Sequence, residues 1–249
     1  MKIYVFYLLL LTSLSMGIEN NSLFALTVLA CNQGDARQCF NAGTISKTEG
    51  DYDSAIKFYN KSCDANDSKG CNNLAYLYLE GKGVKRNIKI AKKFSNKACS
   101  LGNNIACLNL GKLYYSNKGG LGRDLNKSLS FFEIACKNGN MEGCYNVGAI
   151  YGYDRPLSKE ENIKRSFIFL DKACKGKYGK ACLAIKPICE ALCNKGDASA
   201  CFELGSIYSR GIGIKRDRKK AKEILMKSCK LGLQKSCLAV MLLENYGNK

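Results

Sequence analysis

A chain of 249 residues with 39 lysines and arginines against 21 aspartates and glutamates carries a formal charge of +18, and it holds fifteen cysteines but no histidine. The lack of histidine excludes Ser-His-Asp and Cys-His catalysis and any mixed Cys/His metal site. Length permits one large domain or an array of small units, so the decision falls to the pattern along the chain.

The first element, residues 1–17, reads as a signal peptide: Lys2, an apolar run from Ile3 to Leu11, then a polar end in which Ser15 and Gly17 are small residues spaced for cleavage. The apolar run is shorter than a membrane span of roughly 18 to 20 residues, and nothing later is long and apolar enough to cross a bilayer. A secreted or periplasmic protein whose mature chain starts near Ile18 is expected. Disulfides persist in such compartments.

From Cys31 onward seven cysteine pairs recur, each with seven residues between partners: Cys31/Cys39, Cys63/Cys71, Cys99/Cys107, Cys136/Cys144, Cys174/Cys182, Cys193/Cys201 and Cys229/Cys237. Their starts lie 32, 36, 37, 38, 19 and 36 residues apart, a period of helical solenoids with one short interval. Before the first cysteine of a pair, small residues stand at position −8 (Ala55, Ala91, Ser128, Ser166, Ala221) and −1, with Phe58, Phe94, Phe131, Phe169 and Ile224 at −5. These positions form one face of a helix, helix B. After the second cysteine, Leu or Val at +3, Gly or Ala at +4 and Tyr78, Tyr114, Tyr151 or Tyr208 at +7 mark helix A. Glycine-rich turns such as "EGKGVKRN" and "RGIGIKRD" join A to B and end on Asn or Asp, which caps the next helix. Between the cysteines, Gly34, Gly102, Gly139, Gly196 and Gly232, with Asn66 as a substitute, occupy the left-handed position that ends a helix.

Each unit is therefore helix A, turn, helix B, turn, and each cysteine pair joins the last turn of one helix to the first turn of the next. Seven structural disulfides result, each worth about 2 to 3 kcal/mol in the chain-entropy model. No metal or other cofactor is expected, because the cysteines are not in close knuckles.

The interval from Cys182 to Cys193, "CLAIKPICEALC", has no glycine-rich turn. At about 1.5 Å per residue it makes one helix of roughly 16 Å where other units have two, and Pro187 kinks or restarts it. The organisation is thus a signal peptide (1–17), an array of pairs (18–182), a truncated repeat (183–192) and a C-terminal unit with a capping helix (193–249), the last packing in a different direction. Cys189, the unpaired cysteine, occupies the tyrosine position of the truncated repeat. It is a buried free thiol or the link of a disulfide-joined dimer.

Units reading C-x-N-L-G-x-x-Y, then G-x-G-V/I, then K-x-A-K-x-x-x-x-K-A/S-C resemble the Sel-type (SLR) relatives of tetratricopeptide repeats, and the strict pairing resembles the Helicobacter cysteine-rich protein family. The resemblance covers nearly all of the mature chain. It implies an all-α, right-handed α/α solenoid and secretion. For function it implies either penicillin binding with slow β-lactam hydrolysis, or interaction with a host.

A serine acyl-enzyme with lysine as base needs no histidine, and one S-x-x-K occurs, Ser54-Ala55-Ile56-Lys57, without S-D-N or K-T-G. Its repeat equivalents, Ile90, Lys127, Arg165 and Lys220 for Ser54, vary as an outer helix face does. The basic charge is a solvated face or an attraction for acidic polymers or surfaces. Nucleic acid is not expected as a partner. Two positions after the second cysteines stand Asn41, Asn73, Asn109 and Asn146, then Glu203. Repeated on helix A, this position forms a ladder facing an extended ligand such as a peptide, a peptidoglycan fragment or a host protein segment, or it is a local polar cap. The +5 and +9 positions vary beside it, Ser206 and Arg210 being the last of them.

Overall fold

The computed structural model describes residues 22–116, 123–154 and 160–245; the signal-peptide reading of residues 1–17 lies outside them. The described residues are all-helical, in the class of right-handed α/α solenoids built from helix pairs. In chain order the helices are α1 (22–32), α2 (Ala36–Thr48), α3 (Tyr52–Asp64), α4 (Ser68–Glu80), α5 (Ile88–Ser100), α6 (Asn104–Ser116) and α7 (Leu125–Lys137). There follow α8 (Met141–Ala149) with a π turn over Ile150–Asp154, α9 (Glu160–Lys175), α10 (Gly179–Asn194), α11 (Ala198–Arg210), α12 (Arg218–Lys230) and α13 (Gln234–Asn245). The chain forms two compact units, one ending at Leu110 and the other starting at Gly111.

The corners explain the cysteines. The disulfides are Cys31–Cys39, Cys63–Cys71, Cys99–Cys107, Cys136–Cys144, Cys174–Cys182, Cys193–Cys201 and Cys229–Cys237, each between partners eight residues apart with Cα atoms 4.5 to 4.8 Å from each other. The second partner always closes the first turn of its helix: Cys39 in α2, Cys71 in α4, Cys107 in α6, Cys144 in α8, Cys182 in α10, Cys201 in α11 and Cys237 in α13. In the first six of these the sulfur lies 3.4 to 3.7 Å from the carbonyl oxygen of the first cysteine. The Cys237 sulfur instead lies 3.9 Å from the Leu233 carbonyl. A bonded sulfur has no proton to donate, so these are packing contacts of the corner and not hydrogen bonds.

The third residue after each first cysteine turns the chain at positive φ, and there Asn66 (62°) and Lys177 (65°) do what glycine does elsewhere. The next residue, Asp35, Asp67, Asn103, Asn140 or Asp197, accepts hydrogen bonds from backbone N–H groups of the first turn of helix A. This second set of caps recurs in the sequence at a constant offset, but its periodicity is masked by Tyr178, which makes no side-chain cap.

Lysines two residues before a corner bind the preceding one. Lys97 Nζ donates to the Cys63 carbonyl at 2.6 Å in the first unit, and Lys172 Nζ to the Cys136 carbonyl at 3.3 Å in the second. A cation at a helix C-terminus is favourable, so part of the basic charge serves the fold.

Helices A and B approach closely because the residue at +4 of A is small. A Cβ on Gly43 would lie 2.7 Å from Tyr59, one on Gly148 2.7 Å from Leu170, and one on Gly205 2.6 Å from Leu225. Where the register holds Ala75 instead, its counterpart on helix B is the small Ser95. The tyrosine at +7 stacks on the phenylalanine five before the next corner: Tyr78 on Phe94 at 5.9 Å, Tyr114 on Phe131 at 5.7 Å, and Tyr151 on Phe169 at 6.5 Å between centroids.

The truncated repeat is one continuous helix, α10, which runs through Pro187 and is bonded at both ends, Cys182 to Cys174 and Cys193 to Cys201. It acts as helix A for the corner before it and as helix B for the corner after it. One apolar cluster continues through it, joining Leu170 of α9, Ile185 and Cys189 of α10, and Leu204 and Ile207 of α11. Cys189 is fully buried in that cluster. That burial favours the free-thiol alternative over a dimer linked through Cys189, because an enclosed sulfur is out of reach of a second chain.

Candidate functional site

Ser54 and Lys57 lie in the first turns of α3. Asp51 caps this helix and accepts from the Ser54 backbone N–H at 3.0 Å. The Ser54 hydroxyl also bonds to Asp51, which together with the backbone bond holds the Asp51 carboxyl below its ordinary range. Lys57 is exposed, and among the described residues no hydrogen bond joins it to Ser54.

The Ser54 register proves to be more than an outer face. In the second unit Lys127 lies over the Tyr114 ring at 5.6 Å, Arg165 over Tyr151 at 5.5 Å and Lys220 over Tyr208 at 4.6 Å. Ser54 is thus the first repeat's occupant of a cation–π position, and the tyrosine it would cover is replaced by Ser46. The first repeat lacks both tyrosine and cation, while the second keeps Tyr78 and holds Ile90 in the cation's place.

The +2 residues fall into different environments. Asn41 is half-buried on α2, its Nδ2 donating to Gln38 Oε1 at 3.1 Å; Asn73 is half-buried on α4, and Asn109 is exposed on α6, all in the first unit. In the second unit the Asn146 Nδ2 is enclosed without a hydrogen-bond partner. Glu203 of α11 is 6% exposed and takes an ion pair from Lys175 Nζ at 2.9 Å, while the same ammonium reaches Asp171 at 2.7 Å. Burial pulls the Lys175 pKa down, but the bonds to Asp171 and Glu203 outweigh it and leave the ammonium above its ordinary value.

Glu203 opens onto a cavity of about 710 Å³ in the second unit, within the size range of small-ligand sites. Its α11 wall presents Glu203, at the +2 position that is asparagine in the first four repeats, and Ser206 and Arg210, at the +5 and +9 positions that the repeats vary. Those residues share one helix face because 203, 206 and 210 follow the helical period. Its apolar floor comes from Phe202 of α11, Leu225 of α12 and Leu242 and Leu243 of α13, and its basic rim from Arg210, Arg216 and Arg218. Leu242 is 50% exposed. Sequence reasoning found Glu203, Ser206 and Arg210, and missed the floor and two of the arginines. Apart from Phe202 these come from the turn before α12, from α12 and from α13, and only packing brings those segments to α11.

Among the described residues, no group of three or more His, Cys, Asp or Glu side chains is placed to hold a metal ion. Cys189 offers no nucleophile: burial, with Glu203 and Asp171 adding to it, pushes the thiol up to about 12.

Comparison with known proteins agrees with this architecture. Over 55 residues the chain is 38% identical to HcpC of Helicobacter pylori, a protein whose name provisionally assigns it β-lactamase activity; the match takes in 22% of this chain and 19% of HcpC. The chain therefore spans less than a fifth of the length of the curated relative it matches. Among solved structures it superimposes on c5321, a protective antigen of uropathogenic Escherichia coli with an SLR fold, at a TM-score of 0.56 and 21% identity, covering 90% of this chain and 52% of that one. A Sel1 repeat protein from Oxalobacter formigenes gives a TM-score of 0.51 at 22% identity, over 82% and 76% of the two chains. The Sel1 repeat model matches residues 29–67, 68–103, 104–140, 142–178 and 198–233, leaving out all of α10, so the chain belongs to the Sel1 repeat family by its sequence as well as by its corners, turns and helix pairs.

Proposed function

We propose that this protein is an exported, disulfide-rich binding module that takes an extended ligand, a peptide, a peptidoglycan fragment or a host protein segment, on the surface of its A-type helices. The observation that carries the reading is the cavity of the second unit. Glu203, which departs from the asparagine of the first four repeats, and Ser206 and Arg210, at positions that vary among them, converge on an open space with an apolar floor. Core residues repeat because packing constrains them, whereas positions that differ among equivalent helices are free to serve a ligand. Export is supported by seven corner disulfides, which an oxidising compartment preserves. Among the described residues no helix is long and apolar enough to cross a membrane.

In the first unit, Asn41, Asn73 and Asn109 extend the same reading, since an amide donates to and accepts from a peptide backbone without reading its side chains. The β-lactam reading rests on the family resemblance and on the name of HcpC. Nothing in the geometry of Ser54 and Lys57 favours it.

The test is retention of immobilised peptides and muramyl peptides by the oxidised chain, its cavity-filling variant Ser206→Trp, and Asn73→Ala/Asn109→Ala. The wild-type chain should retain a subset of the probes and each variant fewer, with melting temperatures nearly unchanged. Retention by Ser206→Trp equal to that of the wild type removes the cavity from the reading. A fluorescent penicillin is added in parallel, with equal, negligible labelling of wild type and Ser54→Ala expected; labelling lost only in Ser54→Ala would install the β-lactam function instead.

A further inference from the structure

We infer that the ligand of the second-unit cavity is an acidic peptide segment carrying an apolar side chain, with its carboxylates on Arg210 and Arg218 and the apolar group on the floor formed with α13. This deepens the binding reading above and rests on it. Four observations point to that chemistry.

The charge of the lining is unbalanced. Lys175 and Glu203 neutralise each other at 2.9 Å, which leaves Arg210, Arg216 and Arg218 around the opening. Among the described residues neither Arg210 nor Arg218 has an ion-pair partner, and both are exposed. Arg210 Nε donates to the Ser206 carbonyl of its own helix at 3.3 Å, a bond that leaves its charge unpaired.

The chain contains its own control. The turn "EGKGVKRNI" after α4 and the turn "RGIGIKRDR" after α11 share one design: Arg86 Nε donates to the Leu79 carbonyl at 3.0 Å and Arg216 Nε to the Ser209 carbonyl at 2.9 Å. Arg216 is therefore accounted for by the turn itself. Arg210 and Arg218 are not, because the same turn forms in the second repeat with Glu80 and Ile88 in their places.

Arg218 also adds a cation to a helix N-terminus. It occupies the first position of α12, where the partial positive charge of the helix end disfavours a cation, and the cap Asp217 beside it is already engaged with the Lys220 backbone N–H. A side chain that neither the turn nor the helix engages is free to meet an anion from outside.

The apolar floor defines the rest of the ligand. α13 leaves Leu238, Met241 and Leu242 more than half exposed or nearly so, at 59%, 57% and 50%. Leu242 and Leu243 enter the cavity opposite Phe202, over whose ring Lys235 Nζ lies at 4.2 Å. Seven residues separate Glu203 from Arg210, about 10 Å along the helix, which matches roughly three residues of extended peptide. A segment of that length fits along the α11 wall, its acidic side chains toward Arg210 and Arg218 and its apolar one toward the floor.

The experiment measures fluorescence polarisation of fluorescein-labelled Glu-Leu-Glu-Leu-Glu amide with the full oxidised chain, beside Gln-Leu-Gln-Leu-Gln, Lys-Leu-Lys-Leu-Lys and Glu-Ser-Glu-Ser-Glu amides. The Glu-Leu peptide should bind most tightly, with an affinity that falls as salt rises. Arg210→Glu/Arg218→Ile, which installs the residues of the second repeat, should weaken it at least about tenfold, each 1.4 kcal/mol being tenfold. Circular dichroism should show an unchanged fold, since the second repeat forms its turn with those residues. Equal affinity for the Gln-Leu peptide, or an unchanged constant in the double variant, overturns the acidic class while the binding reading stands. Equal affinity for the Glu-Ser peptide overturns the apolar anchor. Failure of all four peptides, together with failure of the retention test, overturns both.

Discussion

Cys189 shows how a single position changes meaning with its surroundings. In three repeats the position holds a tyrosine that stacks on phenylalanine; in α10 it holds a thiol in the cluster between Leu170, Ile185 and Leu204. With its thiol pushed up to about 12 by burial, Cys189 stays protonated at neutral pH and is shielded from reagents. In the oxidised native chain, a chromogenic disulfide reagent at pH 8 should find less than one reactive thiol on a time scale of minutes and one after unfolding in guanidinium, and non-reducing electrophoresis should show no covalent dimer. Immediate reaction of the native chain, or a reducible dimer, would show the thiol to be exposed. The sign of its pH effect follows: above about 9 the unfolded thiol ionises while the folded one holds its proton, so this group lowers stability as pH rises from 9 towards 12. At the same scale, the cations over Tyr114, Tyr151 and Tyr208 give part of the lysine and arginine content a place in the helix pair.

At the scale of the helix pair, contact depends on matching small and large residues. Gly43 faces Tyr59, Gly148 faces Leu170 and Gly205 faces Leu225, whereas the repeat with Ala75 carries Ser95 in the partner register. The backbones are held too close for a methyl group against a large side chain. Gly148→Ala should therefore destabilise the second unit by about 1 to 3 kcal/mol through overpacking, read from denaturant unfolding. Leu170→Ala alone should cost about 2 to 5 kcal/mol by leaving a cavity. The double variant should cost clearly less than the sum, because the added methyl occupies part of the space vacated. Strict additivity would show that the two positions do not meet. The pairing was half legible in the sequence: the small residue at +4 recurs, but nothing in one segment says which residue of the next lies against it.

For the whole molecule, every disulfide is local, spanning eight residues, and none ties one repeat to a distant one. Each helix pair rests on its neighbours, as in other repeat arrays, and the chain forms two compact units. Cooperativity then need not extend over the full length. Guanidinium unfolding of the oxidised chain should be broader than a two-state transition for its size, with an apparent slope below that expected for its buried surface. A single sharp transition with the full slope, coincident for probes in α3 and α11, would count against independent units. We propose that the packing direction changes at the truncated repeat, residues 183–192; a scattering envelope with uninterrupted superhelical stacking through residues 182–201 would overturn this.

The amino-acid sequence by itself determined the helices, their order, the corners and the cysteine pairs from Cys31–Cys39 to Cys229–Cys237, because these are local: a 3.6-residue apolar period, a glycine at positive φ and two cysteines eight residues apart all act within one turn or corner. It also marked Glu203 as differing where the first four repeats hold asparagine, and Ser206 and Arg210 as lying at positions that vary. Only the tertiary structure decided that Cys189 is enclosed, that the Ser54 register faces a tyrosine ring, that lysines at −2 bind the carbonyl of the preceding corner, and that Arg218, Leu242 and Leu243 join Arg210 around one cavity. These outcomes depend on the distance between helices and on which faces meet. Both are set by side-chain volumes across the interface, and no period along a single helix contains them.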